Sequence, residues 1–320
     1  MPRLRLCAGA LTAALLGAVG FAAAAASPDV VASIKPIHSL AAAVMEGVGE
    51  PALLVRGSAS PHGYSLRPSD AKRLEEAEVV FWVGPFLEGF LVRPLAALAD
   101  DAAILEIARI PELDLLPLRE GGIWEPHNHA DPDGPPASGP AERHGRAGPD
   151  PHLWLDPDNA RAIVAAMAEV LSEADPGNAA TYRANAASAA ARIDELDAEL
   201  GATLAPVRDR PFVVFHDAYQ YFEAHYGLAA AAAIMASPDQ VPGARRLREV
   251  RKALHEAGVV CVFREPGFAP ALVDTLTEGT DIRQGELDPE GAMLQEGPGL
   301  YFQLMRNMAH SIADCLGGPE

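Results

Sequence analysis

The chain alternates, twice over, between short apolar runs and longer amphipathic ones, and this pattern restricts it to few architectures. In the first half DVVASI (29–34), ALLVR (52–56), EVVFWVG (78–84) and AAILEI (102–107) read as buried strands. Between them HSLAAAVMEGV (38–48), PSDAKRLEEA (68–77) and PFLEGFLVRPLAALAD (85–100) read as helices, the second opening at a Pro-Ser-Asp cap signal. The second half repeats the plan. PFVVF (211–215), LAAAAAI (228–234), VVCVF (259–263) and DIRQGEL (281–287) are strand-like, and ARRLREVRKALHEA (244–257), APALVDTLTEG (269–279) and YFQLMRNMAHSIADCL (301–316) are helical. Strands separated by helices argue for βαβ units around parallel sheets.

Between the halves a helical stretch, NARAIVAAMAEVLSEA (159–174), stops at DPGN. A second helical pattern then runs over 177–204 with no Pro and no Gly between Gly177 and Gly201. A helix of about 25 residues spans about 38 Å, enough to tie two lobes together. The expected fold is therefore α/β, with two lobes built on parallel four-stranded sheets flanked by helices and joined by one long backbone helix. The boundaries predicted are an N-terminal lobe over 27–176, a linking helix over 177–204 and a C-terminal lobe over 205–320. Loops at the strand ends are free to form a site between the lobes. Residues 119–150 differ: Pro, Gly, Asp, Ala and charged residues dominate without a period, which predicts a flexible surface loop.

The first residues bear on compartment. MPRLRL gives a positive start, an apolar run follows from Leu6 to Phe21, and AAAAAS ends it, the layout of a secretory signal peptide over 1–26. The run is short for a membrane span, and Cys7 precedes most of it, which disfavours lipid anchoring. Cleavage removes Arg3 and Arg5 and takes the formal charge from −19 to −21. So acidic a protein does not favour the phosphate backbone of nucleic acid. Two cysteines remain, Cys261 and Cys315, a disulfide candidate in an oxidising compartment or else two buried thiols.

Three of the ten histidines share a context. His62 follows the strand ALLVR in GSASPHGYSLRPSD, His152 precedes a helix in DPHLWLDPDNA, and His216 ends PFVVF before DAYQYF. Ligands of open α/β sheets gather at the carboxyl ends of strands. Three imidazoles converging there would suit a borderline-soft divalent ion such as zinc. Taken singly, each is more often a hydrogen-bonded structural residue, and spacing alone does not link positions so far apart.

The motifs GSASPHGYSLRPSDAKRL, DPHLWLDPDNA, FHDAYQYFEAHYGL, VVCVFREPGF and GELDPEG occur in the order seen in periplasmic metal-binding proteins of ABC importers. Along essentially the whole mature length the chain resembles the zinc-uptake members, the ZnuA-like proteins. The resemblance implies that His62, His152 and His216 ligate Zn²⁺ at the interface of two lobes bridged by a long helix. It places Asp288 where many relatives supply a carboxylate, with a helix cap as its plain alternative and water as the alternative fourth ligand. Some zinc members carry Glu immediately before the first histidine; here that residue is Pro61. Manganese and iron binders typically have a carboxylate where this chain has His216, so the third imidazole favours zinc over Mn²⁺ or Fe²⁺. Cys261 and Cys315 match the disulfide positions of the zinc-binding relatives. The implied role is capture of Zn²⁺ in the periplasm and delivery, as a monomer, to a membrane permease driven by a cytoplasmic ATPase.

Relatives often carry a His- and acid-rich loop where PHNHADPD stands, so His127, His129 and His144 are either a weak secondary metal loop or incidental solvated residues. His38 is expected to cap or pack, and His225, His255 and His310 to be solvated or packing. Asp217 is expected to cap its helix or orient an imidazole, Tyr64 to cover the site or make an ordinary interlobe contact, and Glu265 to hydrogen-bond a ligand histidine or pair within its lobe. No GxSxG, P-loop, HExxH or GxGxxG is present, which argues against an enzyme. A zinc-dependent hydrolase with an open fourth position is the main rival reading, and an adhesin a further one.

Overall fold

The computed structural model describes residues 27–119, 148–235, 242–268 and 270–318. The leader expected over 1–26, most of the 119–150 loop, and His127, His129 and His144 lie outside the described residues. Strands β1 (Val30–Ala32), β2 (Ala52–Leu53), β3 (Val79–Trp82) and β4 (Ala103–Glu106) form a parallel sheet in the order β2-β1-β3-β4. Strands β5 (Phe212–His216), β6 (Ala230–Met235), β7 (Cys261–Arg264) and β8 (Arg283–Glu286) form a second in the order β6-β5-β7-β8. The two sheets share one topology. In each, the order reverses beside the first strand and opens a crevice at the carboxyl ends. Strands β1, β3 and β5 are buried at every residue, which is why they read as continuous apolar runs. Edge strand β8, with the sequence RQGE, is half-exposed throughout.

Helices α1 (Lys35–Val44), α2 (Pro68–Glu76), α3 (Val92–Leu98) and α4 (Pro157–Ala174) belong to the first half. The long helix α5 (Ala179–Leu204) follows, then α6 (Gln220–Tyr226), α7 (Ala244–Glu256), α8 (Ala271–Thr277) and α9 (Leu300–Gly317). Along the 26 residues of α5, Tyr182, Ala186, Ala189, Ile193, Leu196, Leu200 and Leu204 are buried at spacings of three and four. That stripe packs on α1, α4 and α9, so one helix touches elements from both halves. Ile37, Trp154, Leu196, Phe222 and Tyr301 consequently share one apolar core. The expected disulfide joins Cys261 of β7 to Cys315 of α9, with Cα atoms 6.0 Å apart.

Three sequence expectations shift. Helix α1 starts at Lys35, before His38, because Pro36 is accommodated in its first turn. The single helix expected over 85–100 is a turn, a short 3₁₀ segment (Gly89–Leu91) and α3. The cause is Glu88: it is buried, and its carboxylate accepts from Gly84 N at 2.9 Å, Val83 N at 3.2 Å and Ser33 Oγ. Helix α6 begins at Gln220, leaving Asp217–Tyr219 as an irregular turn after β5.

The segment after β8 is fastened to the first half of the chain. Lys35 Nζ donates to the carbonyls of Gly291 (3.2 Å), Ala292 (2.7 Å) and Leu294 (3.1 Å). Trp154 Nε1 donates to Pro289 O at 2.9 Å, and Tyr301 N to Ser39 Oγ at 2.9 Å.

Candidate metal centre

His216 is the last residue of β5, at the crevice where the second sheet reverses, and Glu265 follows β7, its neighbour in that sheet. His152 stands before a 3₁₀ turn (Leu153–Leu155) that leads into α4, and His62 lies in the turn between β2 and α2. The turn of His62 is ordered around Asp70, which accepts from Tyr64 Oη at 2.9 Å and Arg67 N at 3.2 Å. His62 N itself donates to Ser60 Oγ at 3.3 Å.

These distant positions converge. Ring centroids lie 5.5 Å apart for His62 and His152, 5.4 Å for His152 and His216, and 6.0 Å for His62 and His216. One nitrogen from each ring falls in a set whose members are all within 4.8 Å of one another. The Nε2 atoms of all three are buried and have no hydrogen-bond partner. Three orphaned lone pairs facing one space are a costly arrangement for a merely structural cluster.

Carboxylates behind two of the rings fix which nitrogen is free. His152 Nδ1 donates to Asp150 Oδ1 at 2.8 Å, and the His152 amide donates to the same oxygen at 3.0 Å. His216 Nδ1 donates to Glu265 at 2.6–2.7 Å, and Tyr219 Oη donates to Glu265 Oε1 at 2.9 Å. An Nδ1–H held this way leaves Nε2 as the lone-pair donor, the usual second-layer arrangement around a ligating imidazole. Burial holds the His152 imidazole well below its usual range, and the neighbouring His216 adds to this. His62 is likewise lowered by burial and then by the other two rings. For His216 burial acts downward, but the Glu265 carboxylate more than offsets it and the net shift is upward. Burial pushes Asp150 up to about 7 and Asp217 up to about 6. Burial thus favours the neutral, lone-pair-bearing form of His62 and His152, whereas Glu265 makes protons stronger competitors for His216.

Asp288 is close by but outside the three-histidine set. It lines a cavity of about 180 Å³ with Ser58, Ser60, His216, Glu265 and Glu290. Its Oδ1 accepts from Glu290 N at 3.2 Å, which closes a turn; no helix of the described residues begins there for it to cap. The donor set itself, three imidazole nitrogens with an open side, fits zinc or another borderline ion. A tetrahedral zinc with bonds of about 2.0–2.1 Å holds its ligands about 3.3 Å apart, a spacing compatible with three nitrogens that all lie within 4.8 Å of one another.

The family model described as "Zinc-uptake complex component A periplasmic" (ZnuA) matches residues 30–315. The chain belongs to this family. It is 44% identical over 322 residues to "High-affinity zinc uptake system protein ZnuA" of Brucella abortus (strain 2308), covering 95% of this chain and 96% of the relative. A solved structure described as "Crystal structure of ZnuA" superposes with a TM-score of 0.72 at 25% identity, covering 90% of this chain and 98% of that one. The laminin-binding adhesin (Lmb) from Streptococcus agalactiae has the same fold, with a TM-score of 0.74, 21% identity, and coverage of 90% and 99%.

The other candidates resolve within this ZnuA-family frame. His38 Nε2 hydrogen-bonds Pro51 O at 2.9 Å inside the buried face of α1, a packing role. His255 and His310 are exposed. Tyr64 turns to Asp70 and packs its ring against Phe90, tilted at 58° with centroids 5.1 Å apart, rather than covering the histidines. Asp217 neither caps α6 nor touches a ligand ring; it pairs with Arg119 at 2.8 Å. His225 is the least anticipated. Its Nδ1 lies 3.1 Å from Asp156 and its Nε2 2.8 Å from Asp197, with Asp158 3.8 Å away. Asp150 was not singled out from the sequence, although Asp-Pro-His, with the carboxylate two residues before the ring, carries a readable signal. Arg119 and Lys35 left none, since their partners lie about 100 and 256 residues away.

Proposed function

We propose that this protein captures Zn²⁺ in the periplasm and hands it to the membrane permease of an ABC importer that a cytoplasmic ATPase drives. The three orphaned Nε2 atoms carry the reading: they are buried, come from rings that converge on one space, and in His152 and His216 the other nitrogen is committed to a carboxylate. His62, His152 and His216 supply the ligands, and Asp288 or water takes the fourth position. The family description as a zinc-uptake complex component and the zinc-uptake naming of the relatives support this cargo and these partners. They support a binding protein over an enzyme as well. Export through a leader at 1–26 fits the described residues, in which no helix is long and apolar enough to cross a membrane. Residues 27–176 and 205–320 act as the two lobes and 177–204 as their link. His127, His129 and His144 add weak secondary binding.

In the capture step, zinc displaces water and competes with protons for His216, whose imidazole Glu265 holds above its usual range. Asp150 and Glu265, one bond behind the ligand rings, balance its charge without entering its shell. Three nitrogens disfavour the harder Mn²⁺ relative to zinc.

The test is the metal content and competitive zinc affinity of the mature protein beside His62→Ala, His152→Ala and His216→Ala. Each variant should lose the tight site. If all three hold zinc as wild type does, the ligand assignment is wrong. Deleting residues 126–146 should remove only weak binding, and loss of the tight site would refute that division. Chelator-sensitive hydrolysis of ester or phosphate substrates by the zinc form would instead favour a hydrolase.

A further inference from the structure

The two ends of residues 120–147 stand side by side. Asp150 N donates to Leu116 O at 2.8 Å, and Pro117 and Pro149 form an isolated antiparallel bridge. Tyr221 of α6 joins both ends, its Oη accepting from Leu116 N at 3.1 Å and donating to Asp150 O at 3.0 Å. Arg119, with 18% of its side chain exposed, reaches from this neck to the second half of the chain. Its Nη2 lies 2.8 Å from Asp217 and its Nη1 2.7 Å from Glu223 of α6.

One of these partners adjoins a deeply buried histidine, and the neck itself holds the other. Asp217 follows His216 in a turn that belongs to neither β5 nor α6. Such a turn has few backbone hydrogen bonds to hold it; Ala218 N to His216 O at 2.9 Å is one of them. Asp150, on the opposite strand of the neck, holds His152 Nδ1. A planar guanidinium can grip two carboxylates at once in fixed directions, which an ammonium cannot.

We propose that Arg119 is a positioning residue for the three-histidine site, its two-pronged hold on Asp217 and Glu223 fixing the turn of His216 against the neck that carries His152. The inference rests on the zinc reading above. It also separates two roles for the same ion pairs. A plain staple between halves contributes stability only, whereas a positioning clamp also sets how the ligand nitrogens meet the metal.

Arg119→Lys isolates geometry, because it keeps the positive charge and loses the fork. Glu223→Gln weakens the same clamp from a residue that touches none of the proposed ligands. Both variants are stripped of metal, then measured for competitive zinc affinity, for the visible absorption spectrum with one equivalent of Co²⁺, and for thermal midpoint without metal. Arg119→Lys should weaken zinc about tenfold, the lower end of what outer partners of ligands contribute, and should change the Co²⁺ bands. Glu223→Gln should move both readouts the same way by less. Affinity within about twofold of wild type with an unchanged Co²⁺ spectrum overturns the proposal, whatever happens to the thermal midpoint. If Arg119→Lys fails to fold, the same two readouts on Glu223→Gln decide. His216→Ala in the parent protein is measured in parallel: zinc retained there refutes the underlying site, not Arg119 alone.

Discussion

Replacing Glu265 by Gln tests the site at the point where geometry and charge meet. The carboxylate is 4% exposed and accepts from His216 Nδ1 at 2.6–2.7 Å and from Tyr219 Oη at 2.9 Å. Glutamine keeps the shape and one acceptor oxygen but loses the charge that favours a ligating imidazole. Removing an outer partner of this kind typically weakens metal binding about 10- to 100-fold, or about 1.4–2.7 kcal/mol. The same change acts on the proton. In the parent, burial lowers His216 but Glu265 raises it further, so its net shift is upward and protons compete with zinc from above the ordinary histidine range. In the variant the largest upward influence is gone, only the weaker pull of Asp217 and Asp150 remains against burial, and His216 stays neutral to lower pH than in the parent. The affinity gap between parent and variant should therefore be widest near about pH 8 and narrow towards about pH 6. Competition against a chromophoric zinc chelator at both values reads the gap directly. Equal affinities throughout, or a gap that widens on acidification, would refute the assignment of Glu265 as the group that both orients and charges His216.

His225→Gln should lower the thermal midpoint of the metal-free protein most at acid pH. The hydrogen bond that His225 donates to Asp156, with help from the one to Asp197, raises its imidazole against burial. A raised group contributes fully below its unfolded value near about 6.5 and loses that contribution as pH climbs through the folded value, so a pH-independent difference would sink the reading. Lys35→Met leaves the carbonyls of Gly291, Ala292 and Leu294 without their donor, and should cost about 2–3 kcal/mol in urea unfolding; an unshifted midpoint would show that water replaces the ammonium. Removing the bridge with Cys261→Ala and Cys315→Ala opens a 54-residue separation, for which loop entropy predicts about 4 kcal/mol of lost stability. Zinc affinity should hardly change, because neither sulfur is near the histidines, and a large loss of binding would contradict a purely structural bridge.

How much of this was legible follows from the range of each interaction. The eight strands of the described residues lie within the strand-like runs marked from sequence apart from a one-residue overrun at the carboxyl ends of β5, β6 and β7; β1, β3 and β5 were plainest, because a parallel strand covered on both faces cannot hide its composition. Helix α5 was legible too, its stripe from Tyr182 to Leu204 keeping period without interruption. Boundaries failed where a side chain overrode the local pattern, as Glu88 did by turning inward to Gly84 and Ser33. The convergence of His62, His152 and His216 was not written in their spacing; it came from matching whole motifs in order, and the distances between the rings agree with that reading. Asp150 lay within sight, two residues from its ring. Arg119 could not be found at all, since the turn it grips is distant in sequence and the pairing exists only once both halves are docked.

The three rings are not held equally, and the difference bears on how a metal enters. His152 and His216 are buried, each with Nδ1 fixed on a carboxylate. His62 is half-buried, comes from a turn, and has no carboxylate on its ring among the described residues. A closed triad of equally rigid donors would meet a hydrated ion with a steep dehydration barrier. Two fixed donors and one adjustable one allow the first two bonds to form while water still fills the remaining positions, and the turn of His62 to close afterwards. Any adjustment of the three nitrogens to the tetrahedral spacing of about 3.3 Å then falls mainly on the segment between β2 and α2. On this view the turn around Asp70 sets the rate of capture and release, while Glu265, Asp150 and Arg119 set the affinity.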